Sequence, residues 1–312
     1  MNPKHLSIVT TLYCSEGHIQ LFLERLTEVL CQVTSGDYEI IIVKDGSPDR
    51  SEAIVKDLMA RIPNIKLISL SRNFGHHNAL MAGMREASGE YVFIIDSDLE
   101  TDPSVLAAFV SEMERDENDV IFGYQETRKG KWIERLGGWL FWAILRKLSD
   151  TDIPRNLITE RLMTRRYVDH LVALDESSLF LAGMMHWVGF SQKGMPVVRK
   201  LRSQSSYNFT KRLDLMVNAL TSFTAYPLKL VFRLGVCITF GSMSIVCYLV
   251  ARKILFPDSL LLGYPSILAS IFFSLGILMS SLGVIGVYLE KVYLQSKGRP
   301  LYVIANTYTN YE

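Results

Sequence analysis

The sequence predicts an α/β protein: a mostly parallel sheet with helices on both faces, followed by a C-terminal hairpin of two transmembrane helices. Two observations lead to this prediction. Over the first hundred residues, segments rich in β-branched residues alternate with amphipathic segments, which is typical of parallel strands covered by helices. Beyond residue 227, two long stretches lack charged residues, and each is long enough to cross a bilayer.

Length, charge and cysteine content limit the classes of protein to consider. The 312 residues, 49% of them hydrophobic, can form one large core, or a soluble core plus membrane segments. A net charge of +1 gives no reason to expect a nucleic-acid partner. The four cysteines have no CxxC spacing, which argues against a zinc site or a disulfide framework. We expect no secretory signal, because the first apolar run is short and strand-like.

Strands and helices alternate along the first part of the chain. The strands are predicted at Leu6–Leu12, Tyr38–Val43, Ile65–Ser69 and Tyr91–Ile95, and the helices at Ile19–Gln32, Ser51–Arg61 and Asn78–Ala87. Polar residues follow each strand: Tyr13 and Glu16, then Asp45, then Ser71 and Arg72, then Asp96 and Asp98. One such group alone is often a turn or a helix cap. Four of them at successive strand ends predict a ligand site at the carboxyl edge of the sheet.

The acidic residues after the fourth strand are candidates for a metal site. Asp96, Asp98 and Glu100 occupy alternate positions, and alternate side chains of an extended chain point the same way. Neighbouring carboxylates repel unless a cation lies between them, so the pattern predicts a hard divalent ion with oxygen ligands. The alternative is a solvated acidic turn. An EF-hand is excluded, because Thr101 and Ala107 stand where its glycine and distal glutamate would be.

Four segments together resemble a known family. The strings SIVTTLYCSE, IIIVKDGSPDRS, LSRNFGHHNALMAG and IIDSDLE are similar to family-two glycosyltransferases of the GT-A fold, a Rossmann-like architecture. Within that family the likeness is to polyprenyl-phosphate glycosyltransferases, the group with dolichyl-phosphate mannose synthase and the GtrB-type proteins. The resemblance implies that a nucleotide-diphosphate sugar binds in a cleft and that a polyprenyl phosphate attacks it in line, with inversion.

The resemblance also assigns roles to residues. It implies that Asp45 contacts the nucleoside, and that the carboxylates of Asp96, Asp98 and Glu100 hold Mg²⁺ or Mn²⁺ against the diphosphate. Asp98 would then be catalytic through the metal. Tyr13, Glu16, Ser71 and Arg72 are further candidate substrate contacts. The family's first strand usually ends in Pro-x-Tyr-Asn-Glu, whereas this chain has Thr11-Leu12-Tyr13-Cys14-Ser15 and keeps the tyrosine and the following Glu16.

A segment near residue 160 matches the acceptor loop of that family. Many members carry an aspartate two residues before Arg161, but this chain has Thr159, with Glu160 beside it as a second catalytic candidate. A lipid phosphate is already ionised at neutral pH and needs no strong base, so the loss of the aspartate favours a phosphate acceptor. Arg161 is our candidate to bind that phosphate, because a guanidinium binds phosphate bidentately; a structural salt bridge is the alternative.

Between the acidic motif and the acceptor loop, two features favour anionic and membrane partners. Arg128 and Lys129 are candidates to bind the diphosphate, and a solvated loop is the alternative reading. Residues 132–148 predict an amphipathic helix with three tryptophans and interspersed basic residues, a composition that favours an interfacial helix over a core helix.

The C-terminal part is predicted to cross the membrane twice. The spans are expected at about residues 230–252 and 262–289, after a catalytic domain at 1–227 and before a tail at 291–312. Basic residues flank the two outer ends more densely than the turn between them, which predicts a multi-pass inner (plasma) membrane protein with its catalytic domain in the cytoplasm. Gly276, Ser280 and Gly283 form a small-residue seam suited to packing within the hairpin or to a homo-oligomer.

The sequence therefore predicts a metal-dependent membrane glycosyltransferase that moves a sugar, UDP-linked in the donor, to polyprenyl (undecaprenyl) phosphate. Two alternatives remain. An enzyme that extends a lipid-linked or cell-surface glycan would need a general base near the anomeric carbon. A non-catalytic membrane scaffold of the same fold would not need the intact acidic motif of residues 96–100.

Overall fold

The computed structural model describes residues 5–125, 156–174, 176, 181–199, 226–255 and 264–310. Within this part of the chain, eight strands form one sheet: β1 Leu6–Leu12, β2 Tyr38–Lys44, β3 Ile65–Leu70, β4 Tyr91–Ile94, β5 Val120–Tyr124, β6 Leu157–Thr164, β7 Gln192–Pro196 and β8 Ile304–Thr309. The helices are α1 Ile19–Val33, α2 Ser51–Leu58, α3 His76–Glu86, α4 Val105–Asp116, α5 Arg165–Val172, α6 Leu181–Trp187, α7 Tyr226–Leu255 and α8 Tyr264–Ser296.

The sheet is mixed, with a parallel centre. The strand order is β7-β5-β6-β4-β1-β2-β3-β8. The four central strands β4, β1, β2 and β3 run parallel to one another. Strand β6 is antiparallel to both β4 and β5, and β8 is antiparallel to β3. The four predicted strands and three predicted helices of the first hundred residues are confirmed, with ends that differ by three residues at most.

Two apolar layers form the core, one on each face of the sheet. The first lies under α1, α2 and α4, and the second lies under α3, α5 and α6. Helix α1 shows why: Ile19, Phe22, Leu23, Leu26 and Leu30 recur at helical spacing and are all buried. The central strands are buried on both faces, which explains their continuous apolar runs. The prediction of helices on both faces is confirmed.

The chain leaves and rejoins the sheet at the same edge. Strand β7 is parallel to β5, and β5 has the direction of β4, so β7 ends at the carboxyl edge of the parallel strands. Strand β8 begins at that edge too, because Ile304 pairs with Leu70 at the end of β3. The amide of Ser71 donates to the carbonyl of Val303 at 2.9 Å. The two long helices α7 and α8 therefore connect to the carboxyl edge of the sheet.

One helical stretch in the described part of the chain, Phe273–Ser296, is long and apolar enough to cross a membrane, and none of it is buried inside the protein. It belongs to α8, which begins close to the predicted second span. Helix α7 covers the predicted first span, has 30 residues and carries no charged residue from Leu234 to Ala251, but several of its side chains lie outside the described part of the chain. Two membrane spans are thus not shown.

Candidate active site at the carboxyl edge of the sheet

The predicted ligand site is assembled where four parallel strands end. Since β4, β1, β2 and β3 are neighbours in that order, the segments after them meet at one edge. His76, the first residue of α3, ties two of these segments together. Its Nδ1 lies 3.0 Å from the hydroxyl of Thr11, and its Nε2 lies 3.4 Å from Asp96 Oδ1. Burial lowers the pKa of His76, although the charges of Asp45 and Asp98 act in the opposite direction.

Asp45 organises the loop that follows β3. Its Oδ1 accepts a hydrogen bond from the amide of Phe74 at 2.6 Å, and its Oδ2 accepts from Gly75 at 2.9 Å, at the start of α3. Gly46 is required beside it: its φ is +61°, and a Cβ there would lie 2.3 Å from the amide nitrogen of Asn73. Asp45 is 3% exposed, so its described role is to position residues 71–75. The nucleoside contact stays a prediction.

The loop after β1 is held by serines and an aspartate that the sequence analysis missed. Asp49 accepts hydrogen bonds from the amide of Glu16 and from the hydroxyls of Ser47 and Ser51. Burial would raise the pKa of Asp49, but these hydrogen bonds outweigh it and lower the pKa to about 2. The Glu16 carboxylate accepts from the amide of Arg50 at 3.2 Å. Glu16 thus joins two loops of the site.

Two other candidate substrate contacts present their side chains at the same edge. Tyr13 is 53% exposed. Arg72 is exposed, and its guanidinium lies 4.2 Å from the ring centroid of Phe74. Ser71 is the residue whose amide donates to the carbonyl of Val303, just before β8. These positions agree with the predicted edge, and the individual substrate contacts stay predictions.

The acidic motif does not have the extended geometry that the sequence predicts. Strand β4 ends at Ile94, and Leu99 has a left-handed φ of 58°. The chain turns within the motif, where the Asp98 carboxylate accepts a hydrogen bond from the amide of Glu100 at 3.0 Å. No group of three His, Cys, Asp or Glu side chains is arranged for a metal in the described ranges. The three proposed ligands are near each other along the chain but are not a formed coordination set.

Arg199, which the sequence analysis also missed, contacts two of those carboxylates. Its guanidinium lies 3.6 Å from Asp96 Oδ2 and 3.1 Å from Glu100 Oε2. Arg199 follows the short strand β7, and no periodic pattern marks it. The sequence gives no means of placing it, because only the strand order of the sheet brings residues near 199 to residues near 96.

The carboxylate of Asp96 is in an unfavourable environment. The pKa of Asp96 is raised to about 6: burial and the charges of Asp98 and Glu100 raise it, while Thr159 and the charge of Arg199 act in the opposite direction. Asp96 Oδ1 is buried and has no hydrogen bond of ordinary geometry. Hard oxygen donors, one of them buried and without an ordinary hydrogen bond, fit Mg²⁺ or Mn²⁺.

Thr159, Glu160 and Arg161 lie on β6, next to β4. Glu160 is fully buried; burial raises its pKa, as does the nearby charge of Asp96. Thr101 acts in the opposite direction, yet neither Glu160 oxygen has a well-formed hydrogen bond. A buried carboxyl of this kind can retain or give up a proton at a pH above the usual range for glutamate.

Arg161 points to the other face of the sheet from Glu160, because adjacent strand residues alternate. It is 2% exposed, its guanidinium lies 5.5 Å from the centroid of the Phe122 ring, and Nη1 has no hydrogen-bond partner. Burial lowers its pKa to about 10, so it stays charged at neutral pH. An unpartnered buried cation is consistent with an anionic ligand. The predicted acceptor-phosphate contact is not tested by these contacts.

Three predictions lie outside the described residues: the diphosphate contacts Arg128 and Lys129, and the interfacial helix at 132–148.

Known glycosyltransferases are similar in sequence to nearly the whole chain. The family model described as "Glycosyl transferase family 2" matches residues 7–171. The chain is 34% identical to the uncharacterized glycosyltransferase YkcC of Bacillus subtilis (strain 168), over 97% of this chain and 94% of that protein. It is 30% identical to the bactoprenol glucosyl transferase of Shigella phage SfV, over 96% of this chain and 98% of that protein.

A solved structure shares the fold. The mannosyltransferase PcManGT from Pyrobaculum calidifontis, in complex with GDP-Man and Mn²⁺, matches with a TM-score of 0.50 and 16% identity, over 94% of this chain and 85% of that one. At this identity the likeness shows the fold alone.

Proposed function

Because the chain belongs to glycosyl transferase family 2, we propose that it transfers a sugar from a UDP-linked donor to polyprenyl phosphate at the cytoplasmic face of the membrane. That the protein is a glycosyltransferase with a GT-A-like fold follows from the family itself. The acceptor is proposed from the bactoprenol glucosyl transferases that align over 96% of this chain.

One observation of the fold supports the proposal of a membrane-embedded acceptor. The carboxyl edge of the sheet, where the candidate site lies, is also the edge at which the chain returns from α8. Residues 297–303 connect α8 to β8, and so few residues span at most about 28 Å. A phosphate on a long apolar chain is confined to the membrane surface, so an acceptor site must lie near that plane. A site that opened at the other edge would lie farther from the helix end.

The same connection supports a hairpin of two spans. Residues up to 199 and strand β8 belong to one sheet, so the chain between them must cross a membrane an even number of times or not at all. If the apolar stretch Phe273–Ser296 crosses once, a second crossing has to lie between residues 199 and 273. Helix α7, with 30 residues, is the described segment long enough to provide it. The basic flanks then support a cytoplasmic catalytic domain.

The residues of the site can perform the chemistry without a strong base. Asp96, Asp98 and Glu100 would hold a divalent cation, which supplies neutralisation of the charge on the departing nucleoside diphosphate. The acceptor phosphate is its own nucleophile, since it is ionised at neutral pH. The side chain of Thr159 lies close to Asp96 and lowers the pKa of that carboxyl. Arg161 would bind the acceptor phosphate, and Arg128 and Lys129 the diphosphate. The task of the protein is then mainly to position two anions.

The experiment is transfer by the purified full-length protein in detergent or nanodiscs. UDP-glucose, UDP-N-acetylglucosamine, UDP-galactose and GDP-mannose are each offered with undecaprenyl phosphate, and product is read by mass spectrometry. We expect one UDP-sugar to give a phosphodiester-linked product, and EDTA to stop the reaction until Mg²⁺ or Mn²⁺ is restored. Undecaprenol without the phosphate is the matched control acceptor. Transfer to a glycan but not to undecaprenyl phosphate would instead establish the glycan-extending enzyme, and no transfer with any donor would favour the scaffold.

A further inference from the structure

Arg199 brings a positive charge to the acidic motif of residues 96–100. It contacts Asp96 and Glu100 through one guanidinium, and its charge also acts on the buried Glu160. Its own Nε is buried and has no hydrogen-bond partner. The guanidinium is therefore held mainly by ion pairing with the carboxylates that the proposed function assigns to a metal.

A divalent cation at this motif would require the same carboxylates. Each oxygen lone pair that coordinates a metal is unavailable to Arg199, and the two positive charges repel at such short distance. Simultaneous binding at the present distances is consequently unfavourable. If neither the metal ion nor the Arg199 guanidinium were present, the carboxylates around Asp96 would repel one another.

We propose that Arg199 is the internal counter-ion of the ligand-free motif, and that it gives up its ion pairs with Asp96 and Glu100 when a divalent cation binds. The exchange rests on the metal site of the proposed function. The affinity of that site for metal then depends on the difference in free energy between carboxylates bound to the metal and carboxylates paired with Arg199. The exchange also explains how a motif of carboxylates stays folded without a metal ion, since one positive charge is replaced by another. Arg199 is thus a positioning residue for the carboxylates in the metal-free state.

The exchange predicts opposite effects of one substitution on stability and on metal binding. In the full-length protein with EDTA, Arg199→Met should lower the apparent Tm, because the carboxylates lose their counter-ion. Saturating Mn²⁺ should remove most of that difference. Mn²⁺ itself should bind Arg199→Met more tightly than the original protein, by about fivefold or more if the coupling is of ordinary size.

The experiment measures Mn²⁺ binding by electron paramagnetic resonance of the free ion, and Tm by intrinsic fluorescence, for three proteins. Arg25→Met is the matched control, because Arg25 pairs with Asp102 at 3.3 Å, outside the motif; it should leave Mn²⁺ binding unchanged. Arg199→Lys, which keeps the charge without the planar fork, serves if the methionine variant does not fold, and should bind Mn²⁺ no more weakly than the original protein.

Two results would overturn the exchange, and they separate it from the proposed function. If the original protein binds Mn²⁺ and Arg199→Met binds it equally or more weakly, Arg199 is not a competitor, and the metal site stands without the exchange. If none of the proteins binds Mn²⁺, the exchange fails together with the metal dependence, whereas sugar transfer in EDTA would show that the transferase assignment survives.

Discussion

At the scale of single residues, the site combines buried acids with few compensating groups. Asp96 and Glu160 both have raised pKa values, because both are buried and each acid lies near other negative charge. Thr159 lies next to Asp96 and acts to lower the pKa of its carboxyl. The threonine that replaces the family's usual aspartate thereby supports a predicted metal ligand, where an aspartate would add another negative charge. This agrees with an acceptor that needs no base.

Asp98→Asn is expected to abolish transfer while the protein stays folded. The change removes one of the proposed metal charges but keeps an oxygen that can accept from the amide of Glu100. We expect kcat/KM to fall by about 100-fold or more, the size of effect seen when one group that stabilises transition-state charge is removed. Transfer assays with Mn²⁺ and a Tm measurement check this.

The control for that variant is Asp102→Asn, a carboxylate four residues later that pairs with Arg25. It should retain activity close to that of the original protein. Full activity of Asp98→Asn in the presence of a chelator would refute the metal assignment.

Arg161→Ala is expected to raise the apparent KM for polyprenyl phosphate far more than the KM for the nucleotide sugar. The reason is its unpartnered buried guanidinium, which an acceptor phosphate would satisfy. Thr159→Ala should have a mild effect on both constants. Steady-state kinetics with each substrate varied in turn give the comparison.

Arg161 is buried beside Phe122 and interacts electrostatically with Tyr167. Its replacement therefore also tests whether Arg161 has a structural role. Arg161→Ala with a lower Tm and both KM values unchanged would show that the residue stabilises the sheet and does not bind the acceptor.

At the scale of elements, the C-terminal strand β8 links helix α8 to the sheet. It covers the free edge of β3 and is followed directly by Asn310. The Asn310 side chain accepts from the amide of Ile65 at 2.8 Å and donates to the carbonyls of Met59 and Ile62, both at 2.7 Å. These bonds join the strand to the connection between α2 and β3.

Asn310→Ala is therefore expected to destabilise the catalytic domain by about 1–3 kcal/mol, since it removes hydrogen bonds that each contribute about 1 kcal/mol net. The apparent Tm of the full-length protein is the measurement. Asn306→Ala is the matched control, because Asn306 is an exposed asparagine of the same strand. Equal Tm values for the two variants would mean that the Asn310 contacts contribute nothing measurable.

At the scale of the whole molecule, one sheet includes residues from both ends of the chain, with the long helices between them. This arrangement predicts that positions near both termini are on the same side of the membrane. Cysteines are introduced at positions 3, 258 and 306, in a protein whose four native cysteines are replaced by serine. An impermeant maleimide is then applied to intact cells.

We expect position 258, between α7 and α8 in the chain, to be labelled from outside, and positions 3 and 306 to be labelled only after the cells are opened. Labelling of 3 or 306 in intact cells would reverse the orientation. Labelling of one of these two without the other is incompatible with the single sheet.

The sequence by itself determined the alternating strands and helices of residues 6–100, because apolar periodicity is a local property of the chain. It also predicted that the polar segments after these strands meet at one edge, since parallel strands must end on one side. It could not give the geometry of the acidic motif: the prediction of an extended run was wrong, because the backbone turns at Leu99, and this turn depends on the contacts around it. Arg199 was missed for the same kind of reason.

Only the tertiary structure decided which distant residues share the site. The order of strands in the sheet brings Arg199 and Thr159 to Asp96, and it returns the C-terminus to the edge of β3. Contacts between residues far apart in the chain carry no periodic pattern, so composition and spacing leave them open. They are set by the packing of two apolar layers on one twisted sheet, which fixes every strand end, and with it the chemistry at that edge.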